Sequence, residues 1–118
     1  MARAEVINRI RSKLMLAMHE EGYEAKQNIR QAISTPYPPA SAAGQPPHLR
    51  TGELHGSVDY YVTANGVSAD LTLRATADHA VYLEFGTQNM AARPFMRPEI
   101  ARVRNDLPTT FLKHLRSL

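Results

Sequence analysis

Residues Ser57 to Ala75, SVDYYVTANGVSADLTLRA, decide the fold of this chain. Apolar and polar residues alternate from Ser57 to Thr63 and again from Val67 to Ala75, the period of two that marks a half-buried strand. Asn65-Gly66 stands between them and suits the two positive-φ positions of a type I′ turn, so the stretch reads as a β-hairpin. Val58, Tyr60 and Val62 on one strand, with Ala69, Leu71 and Leu73 on the other, make the face directed at the helices. Asp59, Tyr61, Thr63, Asp70, Thr72 and Arg74 face outward.

Upstream, from about Ala4 to Ile33, Val6, Ile7, Ile10, Leu14, Ala17, Met18, Ala25, Ile29, Ala32 and Ile33 recur mostly every three or four positions, which predicts one long amphipathic helix. Gly22 weakens its middle by about 1 kcal/mol relative to alanine and makes it a candidate hinge. Pro36 ends it and biases Thr35 away from helical geometry. Such a helix is ~45 Å long, more than a small domain covers, so part of it is expected to meet another subunit. Downstream, Pro98 suits the first turn of a C-terminal helix that turns Ile100, Val103, Leu107, Phe111, Leu112 and Leu115 inward. Pro108 is expected either to kink that helix or to restart it after an Asn105 or Asp106 cap.

Between helix and hairpin, Ser34 to Gly52 carries Pro36, Pro38, Pro39, Pro46 and Pro47 among small residues, which neither pair into a sheet nor continue a helix. It reads as a long loop, either a plain connector or an assembly arm. Thr51 can cap a short turn through Glu53, Leu54 and His55. After the hairpin, Asp78 is placed to cap a second short helix carrying Ala80, Val81, Leu83 and Phe85, and Gly86 suits the left-handed position that ends it. Ala92 to Met96 reads as an extended segment that could add an edge strand, the one place in a sheet where Pro94 is tolerated. The fold class predicted is α+β: a long N-terminal helix and a C-terminal helix packed on a small antiparallel sheet of about three strands, in one domain over residues 1–118.

The chain has 118 residues and no cysteine, so disulfides and thiolate zinc sites are excluded and stability must come from packing or from partner subunits. That suits a protein made in a reducing cytoplasm. Charges interrupt the N-terminus and no stretch is long enough to span a bilayer, so neither a signal peptide nor a membrane span is expected. The formal net charge is +3. Its densest basic cluster, Arg3 to Lys13, reads first as a solvated helix face and second as a phosphate-binding stripe.

Two ordered motifs give the chain a family resemblance. Tyr82 to Pro98, YLEFGTQNMAARPFMRP, resembles the signature of small tail-component proteins of long-tailed bacteriophages and prophages, described as tail-completion or head-to-tail joining proteins. Pro46-Pro47-His48-Leu49-Arg50-Thr51-Gly52-Glu53-Leu54, followed by Ser57-Val58, is similar to the proline-rich lead-in of such proteins. The resemblance covers roughly residues 36–98. It implies a structural virion protein at the head-proximal end of a phage tail, in the neck region, acting through subunit contacts and without turnover. The partners it implies are further copies of the chain in a ring, other neck proteins and the tail terminator, with packaged DNA nearby. The contact candidates are Pro38, Pro39, Pro46, Pro47, Thr51 and Gly52 from the loop. From the signature they are Glu84, Phe85, Gly86, Thr87, Met90, Arg93, Pro94, Phe95 and Arg97.

No nucleophile with a base, carboxylate pair or glycine-rich phosphate loop is evident, and His19, His48, His55, His79 and His114 are scattered, so no catalysis, cofactor or metal is expected. Glu84 lies between Leu83 and Phe85, where it can stay in water or meet Arg93 or Arg97, and an arginine pair there would lock the signature turn. The Arg93 pairing is the one expected to clamp Gly86 and Thr87. By base rate Phe85 and Phe95 belong to the core. The rival reading is a small basic DNA-binding protein, motivated by the N-terminal helix and the arginines at 93, 97, 102 and 104.

Overall fold

In the computed structural model, which describes residues 2–35, 41–47, 52–65, 68–88 and 90–117, the apolar period of the N-terminal segment becomes helix α1, Arg3–Ala32. The helix runs through Gly22 without a break, so the hinge expectation is corrected. Gly22 is buried where the hairpin crosses: a Cβ there would lie 2.8 Å from Leu71 Cδ1 and from Tyr60 Cε2, and closer still to Tyr60 Cδ2. Glycine is present to let a strand approach the helix, not to bend it.

Helix α2 is Glu53–Ser57, strand β1 Val58–Asn65 and strand β2 Ser68–Ala75. The strands pair antiparallel with Val58 opposite Ala75, Tyr60 opposite Leu73 and Val62 opposite Leu71. Val58 is fully buried, Tyr60, Val62, Ala69, Leu71 and Leu73 are half-buried, and Asp59, Tyr61, Thr63, Asp70 and Arg74 are exposed, as the alternation predicts; Thr72, expected outward, is half-buried. Asn65 pairs with Ser68 as the last rung, so it belongs to β1 and the connection is positions 66 and 67, outside the described residues. The N-cap of α2 is Gly52 at φ 84°, which has no side chain to cap with; Thr51 lies outside the described residues.

Among the described residues the sheet has two strands, not three. Residues 92–96 are irregular, because their backbone donors are taken elsewhere. Arg93 N–H donates to Leu83 O at 2.6 Å, and the N–H groups of Phe95 and Met96 donate to the Glu84 carboxylate. Pro94 has no donor, so of this segment only Ala92 N–H is not engaged in these bonds.

Helix α3 is Ala80–Phe85 and helix α4 is Arg97–Leu115. Helix α4 continues through Pro108 to Leu115, so no new helix starts after an Asn105 or Asp106 cap. Proline removes one donor there, and the break is resisted by contacts along α1. The two helices are antiparallel: Asn28 Nδ2 donates to Glu99 Oε1 at 2.9 Å near one end, and Lys13 Nζ to Ser117 Oγ at 2.9 Å near the other. Of the α4 residues expected inward, Val103 is buried, Ile100, Leu107, Phe111 and Leu115 are half-buried, and Leu112 is exposed. Polar groups fill the seam instead. Buried Glu21 accepts from Arg102 at 3.0 Å and from Thr110 at 2.6 Å, and Glu20 accepts from Lys113 at 2.8 Å and pairs with His114 at 2.7 Å. Arg102 also meets Glu99 and Asp106, and together these carboxylates raise its pKa despite the opposing effect of burial.

The apolar core gathers at the C-terminal end of α1, where Ile29 and Ile33 meet Leu54, Val58, Ala77, Ala80 and Phe95. The opposite end of α1 leaves Ile7, Ile10 and Leu16 exposed, and the molecule measures 59 × 22 × 21 Å.

Candidate functional site

Helix α3 is inside out relative to its hydrophobicity. Ala80 and Glu84, one turn apart, form its buried face, while Val81, Tyr82 and Phe85 face solvent. Glu84 is 5% exposed and Phe85 is 64% exposed. Phe95 is in the core as expected; Phe85 is not, and that expectation is corrected.

The burial of Glu84 follows from what it binds. One carboxylate oxygen accepts from Phe95 N at 2.9 Å and Met96 N at 2.8 Å, and the other from Arg97 N at 3.1 Å and Arg97 Nε at 2.8 Å. Met96 is the N-cap residue of α4 and makes no side-chain cap of its own. Glu84 therefore caps α4 from a neighbouring helix, satisfying donors that a helix start leaves free and setting a negative charge at the positive end of the dipole. Pro98 removes a further free donor. Burial alone would raise the Glu84 pKa, but the N–H groups of Phe95, Met96 and Arg97 outweigh it and hold the carboxyl below its ordinary value.

The clamp is Arg97, not Arg93. Arg97 adds a bond from Nη2 to the Glu84 carbonyl at 2.7 Å, and its guanidinium lies over the Phe85 ring at 4.9 Å from the centroid. Arg93 Nε turns to Ser41 O at 3.2 Å. Beside it Gly44 N–H donates to Ala92 O at 2.9 Å, and Ser41 and Pro47 are buried. The described part of the proline-rich loop, 41–47, is thus tied to its own chain; Pro38, Pro39 and Thr51 lie outside the described residues, and Pro46 is half-buried.

Gly86 makes the turn. Its φ of 76° with ψ of 177° is open to glycine alone, an extended counterpart of the left-handed cap expected there. A Cβ would sit 2.8 Å from Ala92 N and from Met90 O. Thr87 N donates to Met90 O at 2.8 Å and Met90 N to Thr87 O at 3.2 Å, closing the loop. The N-cap of α3 is His79, with no side-chain cap, so Asp78 does not cap it.

Of the signature candidates, Phe85, Thr87 and Arg97 are exposed; Gly86, Met90, Arg93 and Pro94 are half-buried; Glu84 and Phe95 are interior. Val81 and Tyr82 join the exposed patch, although neither was among the contact candidates. Their spacing with Phe85 makes an apolar stripe, the one signal that could have found them. Among the described residues no group of three His, Cys, Asp or Glu could hold a metal ion, and no helix is long and apolar enough to cross a membrane. Compared with protein-family models, curated proteins and solved structures, the chain matches none.

Proposed function

We propose that this protein is a structural virion component at the head-proximal end of a phage tail, acting in tail completion or head-to-tail joining through subunit contacts and without turnover. The two ordered motifs support the class. The observation that carries the mechanism is the inverted α3, where Glu84 is spent inside as a cap while Val81, Tyr82 and Phe85 are held out on a rigid turn. Covering the exposed part of such side chains gains a share of the about 1.5–3 kcal/mol that full burial from water gives, and aromatic residues are favoured anchors of protein interfaces. Arg97, half in the internal clamp and half exposed, supplies a polar rim beside Phe85. Further copies of the chain in a ring, neck proteins and the tail terminator are the partners in this reading. Its place is the virion neck, after synthesis in the host cytoplasm.

The test is Tyr82→Ser with Phe85→Ser in the parent phage and in purified protein. Both side chains are exposed, so the melting temperature should stay within a few degrees, while filled heads and finished tails accumulate unjoined. Normal infectious yield from the folded double variant would sink the proposal.

A further inference from the structure

The formal charge of the chain is concentrated on one structural feature. Between residues 3 and 13 stand Arg3, Arg9, Arg11 and Lys13 against the single acid Glu5, which equals the whole net charge of +3; the remaining cations and acids cancel. The same helix is acidic further on, but Glu20, Glu21 and Glu24 all meet Lys113, His114 or Arg102 of α4. Among the described residues, no ion pair uses Arg3, Arg9, Arg11 or Lys13. The Arg11 Nε is shielded from solvent without a hydrogen-bond partner. Pairing with α4 therefore neutralises the middle of α1 and leaves its start positive.

Geometry presents that charge outward. Ser117, just past the end of α4, bonds Lys13 and also borders Asn8 and Arg9, so residues 3–7 run about 8 Å beyond it. Where the two helices part, a shallow cleft is lined, among the described residues, by Asn8, Arg9, Ser12, Lys13 and Ser117, each a hydrogen-bond donor. Asn8, Arg9 and Ser12 share one face of the helix, away from Ile7 and Ile10, with the exposed acid Glu5 on the same face one turn earlier. The positive end of the helix dipole adds to it.

We propose that the start of α1, centred on Arg9 and Lys13, docks the phosphate backbone of double-stranded DNA. Charge complementarity selects the partner: a duplex carries about one charge per 1.7 Å of axis, so Arg9 and Lys13, one turn apart on one side of the helix, reach neighbouring phosphates. Hydroxyl and amide donors interleaved with cations suit phosphate oxygens. Nothing in the cleft reads base edges, so binding is independent of sequence. The surface lies on α1 and does not depend on the α3 contact reading.

The test is fluorescence anisotropy of the full-length protein with a labelled random-sequence duplex over a salt series. With two phosphates engaged by Arg9 and Lys13, log affinity should fall with log salt at a slope of about −2. Arg9→Glu with Lys13→Glu should weaken binding at least tenfold at low salt, with an unchanged circular dichroism spectrum. Arg74→Glu with Arg104→Glu makes the same change in net charge at exposed sites elsewhere and should weaken it by less than threefold. Equal losses in the two double variants would reduce the effect to bulk charge and overturn the proposal. So would no duplex binding at low salt, or binding to anionic vesicles in its place.

Discussion

Replacing Glu84 by glutamine isolates the charge and one acceptor while keeping the shape. Each carboxylate oxygen accepts two N–H bonds. In the amide one oxygen remains, and the nitrogen that replaces the other is a donor facing two donors. A charge-assisted bond contributes about 1.5–3 kcal/mol, and a stranded buried N–H costs about 1–3 kcal/mol. Arg97 is 53% exposed, so its side-chain bond belongs at the low end. The expected loss is then about 3 kcal/mol, or about 10–15 °C in melting temperature for a domain of this size. Urea denaturation followed by circular dichroism measures it, with the midpoint shifted and the slope unchanged. Arg93→Ala, which removes only the bond to Ser41 O, should cost about 1 kcal/mol or less. A Glu84→Gln variant within about 1 kcal/mol of the native chain, or less affected than Arg93→Ala, would refute the cross-helix cap.

Gly86→Ala should destabilise by roughly 3 kcal/mol or more, since a side chain meets both a glycine-only backbone geometry and the backbone of residues 90–92; a thermal melt checks it. Gly22→Ala should improve helix propensity by about 1 kcal/mol yet lose about 1–3 kcal/mol to overpacking against Tyr60 and Leu71, for a net loss in urea titration. The folded-state pKa of Glu84 lies below its ordinary value of 4.5. Its contribution to stability is therefore complete above that value and is lost as pH falls through the folded pKa. Acid titration of the native chain should show a loss that Glu84→Gln lacks.

The sequence by itself determined the element types and their order, because period and punctuation are local properties. The alternation around Asn65 specifies a hairpin and its inner face; the three-to-four spacing up to Ile33 specifies α1; Pro36 and Pro98 mark where helices stop and start. Gly86 announced a turn closed to other residues, and two motifs suggested a protein class. What only the tertiary structure decided is which side of an element faces the interior. Helix α3 offers two faces, Ala80 with Glu84 or Val81 with Phe85, and hydrophobicity favours the wrong one. The choice goes to Glu84 because the start of α4 brings three backbone donors and Arg97 to one point, a convergence of residues 84 and 95–97 that the turn at Gly86 creates and hydrophobic period does not show. The same convergence takes the donors that a third strand would have needed. Gly22 likewise reads as a weak point in a helix until Tyr60 is seen against it, and the charge of α1 reads as dispersed until α4 neutralises one stretch and not the other.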